Sequence, residues 1–229
     1  MAGGGLYAGL AAILKTRFRV DEVISTVMLN YIIVYALSLL LLKGPWSEAG
    51  GYFEQTAKVD PGSILPVLLG GTRLHLGFVV ALVAAALAWI MIKRTPVGYE
   101  IRAAGSNLRA LEVQGSDSRR VILMVLLISG ALAGLAGMNE VYGVHYRLKA
   151  GAISTYGYTG IIVAILGQLN PLGVVIAAIL FGALVNGATF MQIKTGVPSA
   201  LIYAIEAIIL LFYLAGWAAS SFRLRRIRP

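Results

Sequence analysis

The sequence predicts an all-α protein: a polytopic membrane helix bundle with about six crossings, one of them short, preceded by the remnant of an N-terminal helix. Three observations carry that prediction. Hydrophobic residues make up 59% of the chain and charged residues only 13%, with a mean hydropathy of +0.83. A soluble domain carries about 25% charged residues, so the main solvent of this chain is lipid. Apolar runs of spanning length recur between polar segments rich in glycine and proline. The cations are not scattered; they gather at 15–19, at 93–120 and in the C-terminal tail.

Composition also excludes several classes. There is no cysteine, which removes disulfides and thiolate metal sites. The formal charge of +9 is the positive-inside excess of a polytopic protein, not a nucleic-acid footprint. A cleavable signal would place its cations ahead of its apolar run. Here residues 1–14 are small and apolar and Lys15, Arg17 and Arg19 follow, so the segment is expected to be the end of a helix.

The elements follow in order. Asp21 and Glu22 open an apolar run at 23–42, with Asn30 and Tyr31 near its middle. At 1.5 Å per residue it is long enough for a hydrocarbon core of about 30 Å. A polar loop, 43–75, comes next; it contains Pro45, Trp46, Pro61 and Pro66 and balanced charges, and 63–69 is expected to form a short interfacial helix. Spans are expected at 76–92 and 121–138, on either side of the charged loop. The Tyr- and Gly-rich stretch 139–156 suits an interfacial helix plus a turn. Residues 159–169 are apolar but too few to span as an ideal helix. Residues 171–192 and 200–217 complete the set. Counting 159–169 as a short crossing puts all three cation-rich segments, including the tail with Arg223, Arg225, Arg226 and Arg228, on the cytoplasmic side. Gly130 and Gly134, Ala178 and Gly182, and Gly157, Gly160 and Gly167 are the small residues expected to let helices approach closely.

The most informative stretch is 93–120. Lys93, Arg94, Arg102, Arg109, Arg119 and Arg120 stand there against Glu100, Glu112 and Asp117. Ser106 is placed to cap a short helix at 107–114, ended by Gly115. Its face would present Leu108 and Leu111 one turn apart, flanked by Arg109 and Glu112. Two isolated turns are marginal in water, so such a helix needs a surface to lie against, either the membrane or a protein groove. A solvated connector is the competing structural reading.

The run GYEIRAAGSNLRALEVQG resembles the cytoplasmic coupling loop of permease subunits in the ABC importer family for branched-chain amino acids, ribose and nucleosides. Arg102-Ala103-Ala104-Gly105, Asn107, Ala110 and Gly115 match that pattern. VDEVISTVMLNYI at 20–32 and ILGQLNPLGVVIAAILFGALVNGA at 165–188 are similar to the nucleoside and simple-sugar branch. Leu111, Ser116, Gln168 and Glu206 depart from the family's usual residues. The resemblance implies one permease domain over 1–229 that lacks the family's first spans, with 93–120 as its coupling loop. It implies that Arg102, Gly105, Asn107, Leu108, Arg109, Leu111, Glu112 and Gly115 couple to an ATP-binding ABC subunit. The further partners it implies are a second permease subunit, as a homo- or heterodimer, and an extracytoplasmic substrate-binding protein. The chain itself would be no enzyme and would hold no cofactor: no lysine follows a glycine, so the GxxxxGK[ST] phosphate loop is missing from this sequence.

Glu206 is the acid well inside a clear span, where a carboxylate costs roughly 2.5–3.5 kcal/mol and should face the bundle or a cavity. It joins Asn30, Asn186 and Gln192 as a candidate for lining the pathway or binding substrate. Helix-to-helix hydrogen bonding competes with that role for all four residues. His145 and Glu140 lack a third ligand, so no metal site is expected. Two other classes stay open: an ion-coupled secondary transporter built around Glu206 and 159–169, and an inactive scaffold fragment.

Overall fold

The computed structural model describes residues 1–42, 44–48, 53–151, 154–196, 198 and 200–221. The arginines of the tail lie outside the described residues. Among the described residues every regular element of length is helical, and the chain divides into two units, Met1–Ser154 and Thr155–Pro229.

The first unit begins with α1, Ala2–Phe18, and α2, Glu22–Leu42. The helix at the N-terminus therefore runs past residue 14 and includes Lys15 and Arg17 in its last turn. It stops where Arg19 turns left-handed (φ 56°), and Asp21 caps α2 by accepting from Val23 N at 2.8 Å. Lys15 pairs with Glu22 across the turn, and the Tyr7 hydroxyl donates to Leu29 O at 2.6 Å. Helices α3, Leu76–Arg94, and α6, Ser118–Glu140, follow, with α4, Pro96–Ser106, and α5, Leu108–Val113, between them.

The tightest packing in this unit is α1 on α6. A Cβ on Gly4 would run into the Gly130 carbonyl and lie 3.0 Å from Gly134 Cα. Both glycines of the GxxxG pair are thus used, because only bare backbones can come so close. Of the other small residues, Gly167 is also close-packed, since a Cβ there would run into the backbone of Gly173 and Val174, whereas one on Gly157, Gly160 or Gly182 would meet nothing within 4 Å among the described residues.

Helix α2 shows what the solvent is. Val23, Ile24, Met28, Ile32, Tyr35 and Leu39 are all exposed along one 21-residue helix. A patch of that extent is untenable in water but normal in hydrocarbon. Four described segments are long and apolar enough to cross: Glu22–Leu42, Leu76–Arg94, Ser118–His145 and Pro171–Thr195.

Two expectations for the polar segments need correction. Residues 63–69 form no helix; a 3₁₀ turn, Pro61–Ser63, precedes an extended stretch in which Val67 bridges His75. Pro66 explains this, because it has no N–H to donate and pushes Leu65 out of the helical region. Residues 139–145 are not a separate interfacial helix: α6 continues into a π-helical turn, Val141–His145, and ends where Tyr146 turns left-handed (φ 55°).

The 53–75 loop is not a loose connector. Val59 N donates to Tyr146 O (2.9 Å), Thr56 N to Leu148 O (3.0 Å) and Leu65 N to Tyr142 O (3.1 Å). Arg147 Nη1 holds both oxygens of Glu48 at 2.7 and 2.8 Å. His75 caps α3 by accepting from Gly77 N, and its ring fills a slot where a Cβ on Gly77 or Gly143 would collide with it. These bonds make a strap over the end of α6.

The second unit holds α7, Ser154–Leu166, α8, Pro171–Thr195, and α9, Ala200–Ser221. At 13 residues α7 reaches about 20 Å, less than a hydrocarbon core. It ends three residues before the expected 169, because Gln168 and Leu169 both turn left-handed (φ 55° and 54°). Asn170 then caps α8 and Pro171 opens it. Val163, Ala177 and Phe181 form the core here, with Ile162, Leu166, Val174 and Ile209 packed against it.

Candidate functional site

The charged stretch is more ordered than a loop. Helix α3 ends at Thr95, which is extended (φ −113°, ψ 156°), as a residue before proline tends to be. The Thr95 hydroxyl accepts from Gly98 N at 3.2 Å and donates to Met91 O at 2.6 Å. With Thr95 as cap and Pro96 in the first turn, α4 starts immediately. It folds back sharply: a Cβ on Gly98 would run into the carbonyls of Met91 and Ile92.

The second helix is capped differently from the expectation. Ser106 belongs to α4 and donates to Arg102 O at 3.1 Å. Asn107 is extended (φ −163°, ψ 110°) and is the cap of α5, its Oδ1 accepting from Arg109 N at 2.9 Å. Ser106 is already the last residue of α4, which leaves Asn107 as the cap. Gly115 closes the element as predicted, at φ +86°, with Gly115 N on Glu112 O and Ser116 N on Leu111 O.

The exposed face also differs. Leu111 is 1% exposed and faces the protein, so it is unavailable to a partner. Leu108 is exposed at 43% and Val113 at 89%, with Arg102, Arg109 and Glu112 exposed beside them. Gly105 has open space around it. Glu112 Oε1 accepts from the Ser118 hydroxyl at 2.5 Å. Two more side-chain bonds join α4 to the segment after α5. Ser116 donates to Glu100 Oε1 at 3.2 Å, and Tyr99 and Gln114 meet at 3.4–3.5 Å. Tyr99, Glu100, Gln114, Ser116 and Ser118, which make these bonds, and the outward Val113 carry no mark of their own in the sequence. The one usable signal was Thr95-Pro96, a helix start that places Tyr99 and Glu100 on a helix.

The pathway candidates fall in both units. Asn30 lies on α2 in the first unit; Asn186 and Gln192 lie on α8 in the second, and all three are exposed. The side chain of Glu206, on α9, lies outside the described residues. An apolar groove of about 580 Å³ on α1 and α6, lined by Leu6, Tyr7, Leu10, Ile13, Leu123 and Leu127 among others, includes none of them.

The family described as branched-chain amino acid transport system / permease component matches residues 1–214. The guanosine ABC transporter permease protein NupP of Bacillus subtilis is 40% identical over 221 residues, 95% of this chain and 63% of its own length. The glucose ABC transporter permease protein TsgB13 of Haloferax volcanii is 31% identical, over 92% of this chain and 58% of its own. The nucleoside ABC transporter permease protein NupB of Lactococcus lactis is 30% identical, over 93% of this chain and 60% of its own. The chain therefore spans less than two thirds of the length of these relatives. No solved structure matches it. With a match that covers most of the sequence and apolar helices of spanning length, the chain is an integral membrane protein that belongs to the branched-chain amino acid transport system permease family.

Proposed function

We propose that this chain works as a permease subunit of an ATP-driven importer for nucleosides or simple sugars in the cell membrane. The observation that carries the proposal is the preformed α4–α5 pair in the cation-rich stretch, which offers Leu108, Arg109 and Val113 outward. A short helix with an apolar tip beside a cation suits a groove on a soluble ATP-binding ABC subunit. That subunit supplies the ATPase activity. The names of the relatives, guanosine, nucleoside and glucose permeases, support the substrate class.

On this reading the two units act as one permease domain, with a second permease subunit completing the pathway. The 93–120 segment and the C-terminus are cytoplasmic, following the distribution of cations. An extracytoplasmic binding protein delivers substrate on the opposite side, where the strap of 53–75 lies. Asn30, Asn186, Gln192 and Glu206 are the residues proposed to face the substrate.

The test is co-purification. Val113→Asp puts a charge on the most exposed apolar residue of the element, and Arg109→Glu reverses the neighbouring cation. Loss of a central interface anchor costs about 2 kcal/mol, roughly thirtyfold in affinity. Each variant is expected to stay in the membrane at the wild-type level and lose its bound ATPase. Retention of the ATPase by both variants would contradict the proposal.

A further inference from the structure

We infer that Glu100 is a positioning residue for coupling: by holding the Ser116 hydroxyl it locks α5 to α4 and to the start of α6, so that the three move as one lever. The inference rests on the docking role proposed above. Its starting point is that α5 has only six residues and a backbone pivot at each end. Asn107 is extended on one side, and Gly115 is left-handed at φ +86° on the other. A helix of that length has little stability of its own. Pushed by a partner, it would rotate about its pivots and deliver little displacement to α3 or α6.

Three features remove that freedom. Leu111 is buried to 1% and pins the inner face of α5. Glu112 accepts from Ser118 at 2.5 Å, across the Gly115 pivot, but at an exposed position. Glu100 accepts from Ser116 at 3.2 Å from the far side of the Asn107 pivot, and this pair is half-buried. A carboxylate–hydroxyl bond is charge-assisted, and partial burial shields it from competition by water. Glu100 therefore links α4 directly to the segment that leads into α6, bypassing both pivots. Helix α4 is in turn fixed to α3 by the Thr95 cap and by the Gly98 contact with the Met91 and Ile92 carbonyls. The path from α5 to two spanning helices is continuous and contains no loose joint.

The experiment uses the tagged full chain purified from its own membranes with its bound ATPase and reconstituted. It measures uptake per ATP hydrolysed for wild type, Glu100→Ala, Glu100→Gln and Ser116→Ala, together with the amount of ATPase retained. Glu100→Ala and Ser116→Ala are expected to retain the ATPase and to lose coupling by about three- to tenfold. Glu100→Gln keeps an Oε1 acceptor and is expected to restore most of the ratio. The double variant Glu100→Ala/Ser116→Ala is expected to be no worse than either single change. Wild-type coupling in Glu100→Ala, or additive losses in the double variant, would overturn the inference. Retention of the ATPase by Val113→Asp would instead overturn the docking role beneath it, so the two failures are separable.

Discussion

Single residues decide how close the helices of the first unit come. Gly4 meets Gly130 and Gly134 backbone to backbone, and a side chain at Gly4 has nowhere to go. Gly4→Val is therefore expected to destabilise the α1–α6 pair by about 1–3 kcal/mol, as overpacking does elsewhere. Thermal unfolding in detergent should show a lower Tm for Gly4→Val and an unchanged one for Gly182→Ala, where a Cβ meets nothing within 4 Å. An equal drop in both would mean that glycine content, not this contact, sets stability. The same contrast shows why a small-residue motif in a sequence is a weak guide. Gly130 with Gly134 and Ala178 with Gly182 have equal spacing, but a close approach was found only at Gly130 and Gly134. Whether a neighbour arrives is a tertiary fact.

Among elements, the spanning helices were the most legible. Residues 23–42, 76–92, 121–138 and 171–192 were expected, and helices run over Glu22–Leu42, Leu76–Arg94, Ser118–Glu140 and Pro171–Thr195. A long apolar run leaves the backbone no other way to satisfy its polar groups in lipid. The polar segments were less legible because their partners are far away in sequence. Thr56 bonds to Leu148 and Glu48 to Arg147, and neither pairing leaves a local pattern. The 93–120 stretch lies between these cases: its spacing predicts a short helix ended by Gly115, while α4 and the cap at Asn107 rather than Ser106 come from the structure. Helical spacing alone turns Leu111 outward, and the neighbours that bury it leave no mark on that spacing. The Asn107 cap gives an element-scale test. Asn107→Ala is expected to cost about 1 kcal/mol and to speed amide exchange over 108–113, with Asn107→Asp close to wild type. Unchanged exchange in Asn107→Ala would show that α5 is held by packing alone.

At the scale of the whole molecule, the account turns on which side of the membrane α5 faces and on what covers it there. The chain has no cysteine, so one introduced thiol reports on one position without background. Val113, at 89% exposure, is the position to use. The decisive measurement is labelling of Val113→Cys by a membrane-impermeant thiol reagent in intact cells and in inside-out vesicles, with and without the ATPase bound. The account predicts no labelling from outside, full labelling from inside, and protection when the ATPase is present. Labelling in intact cells, or equal labelling from inside with and without the ATPase, would contradict it.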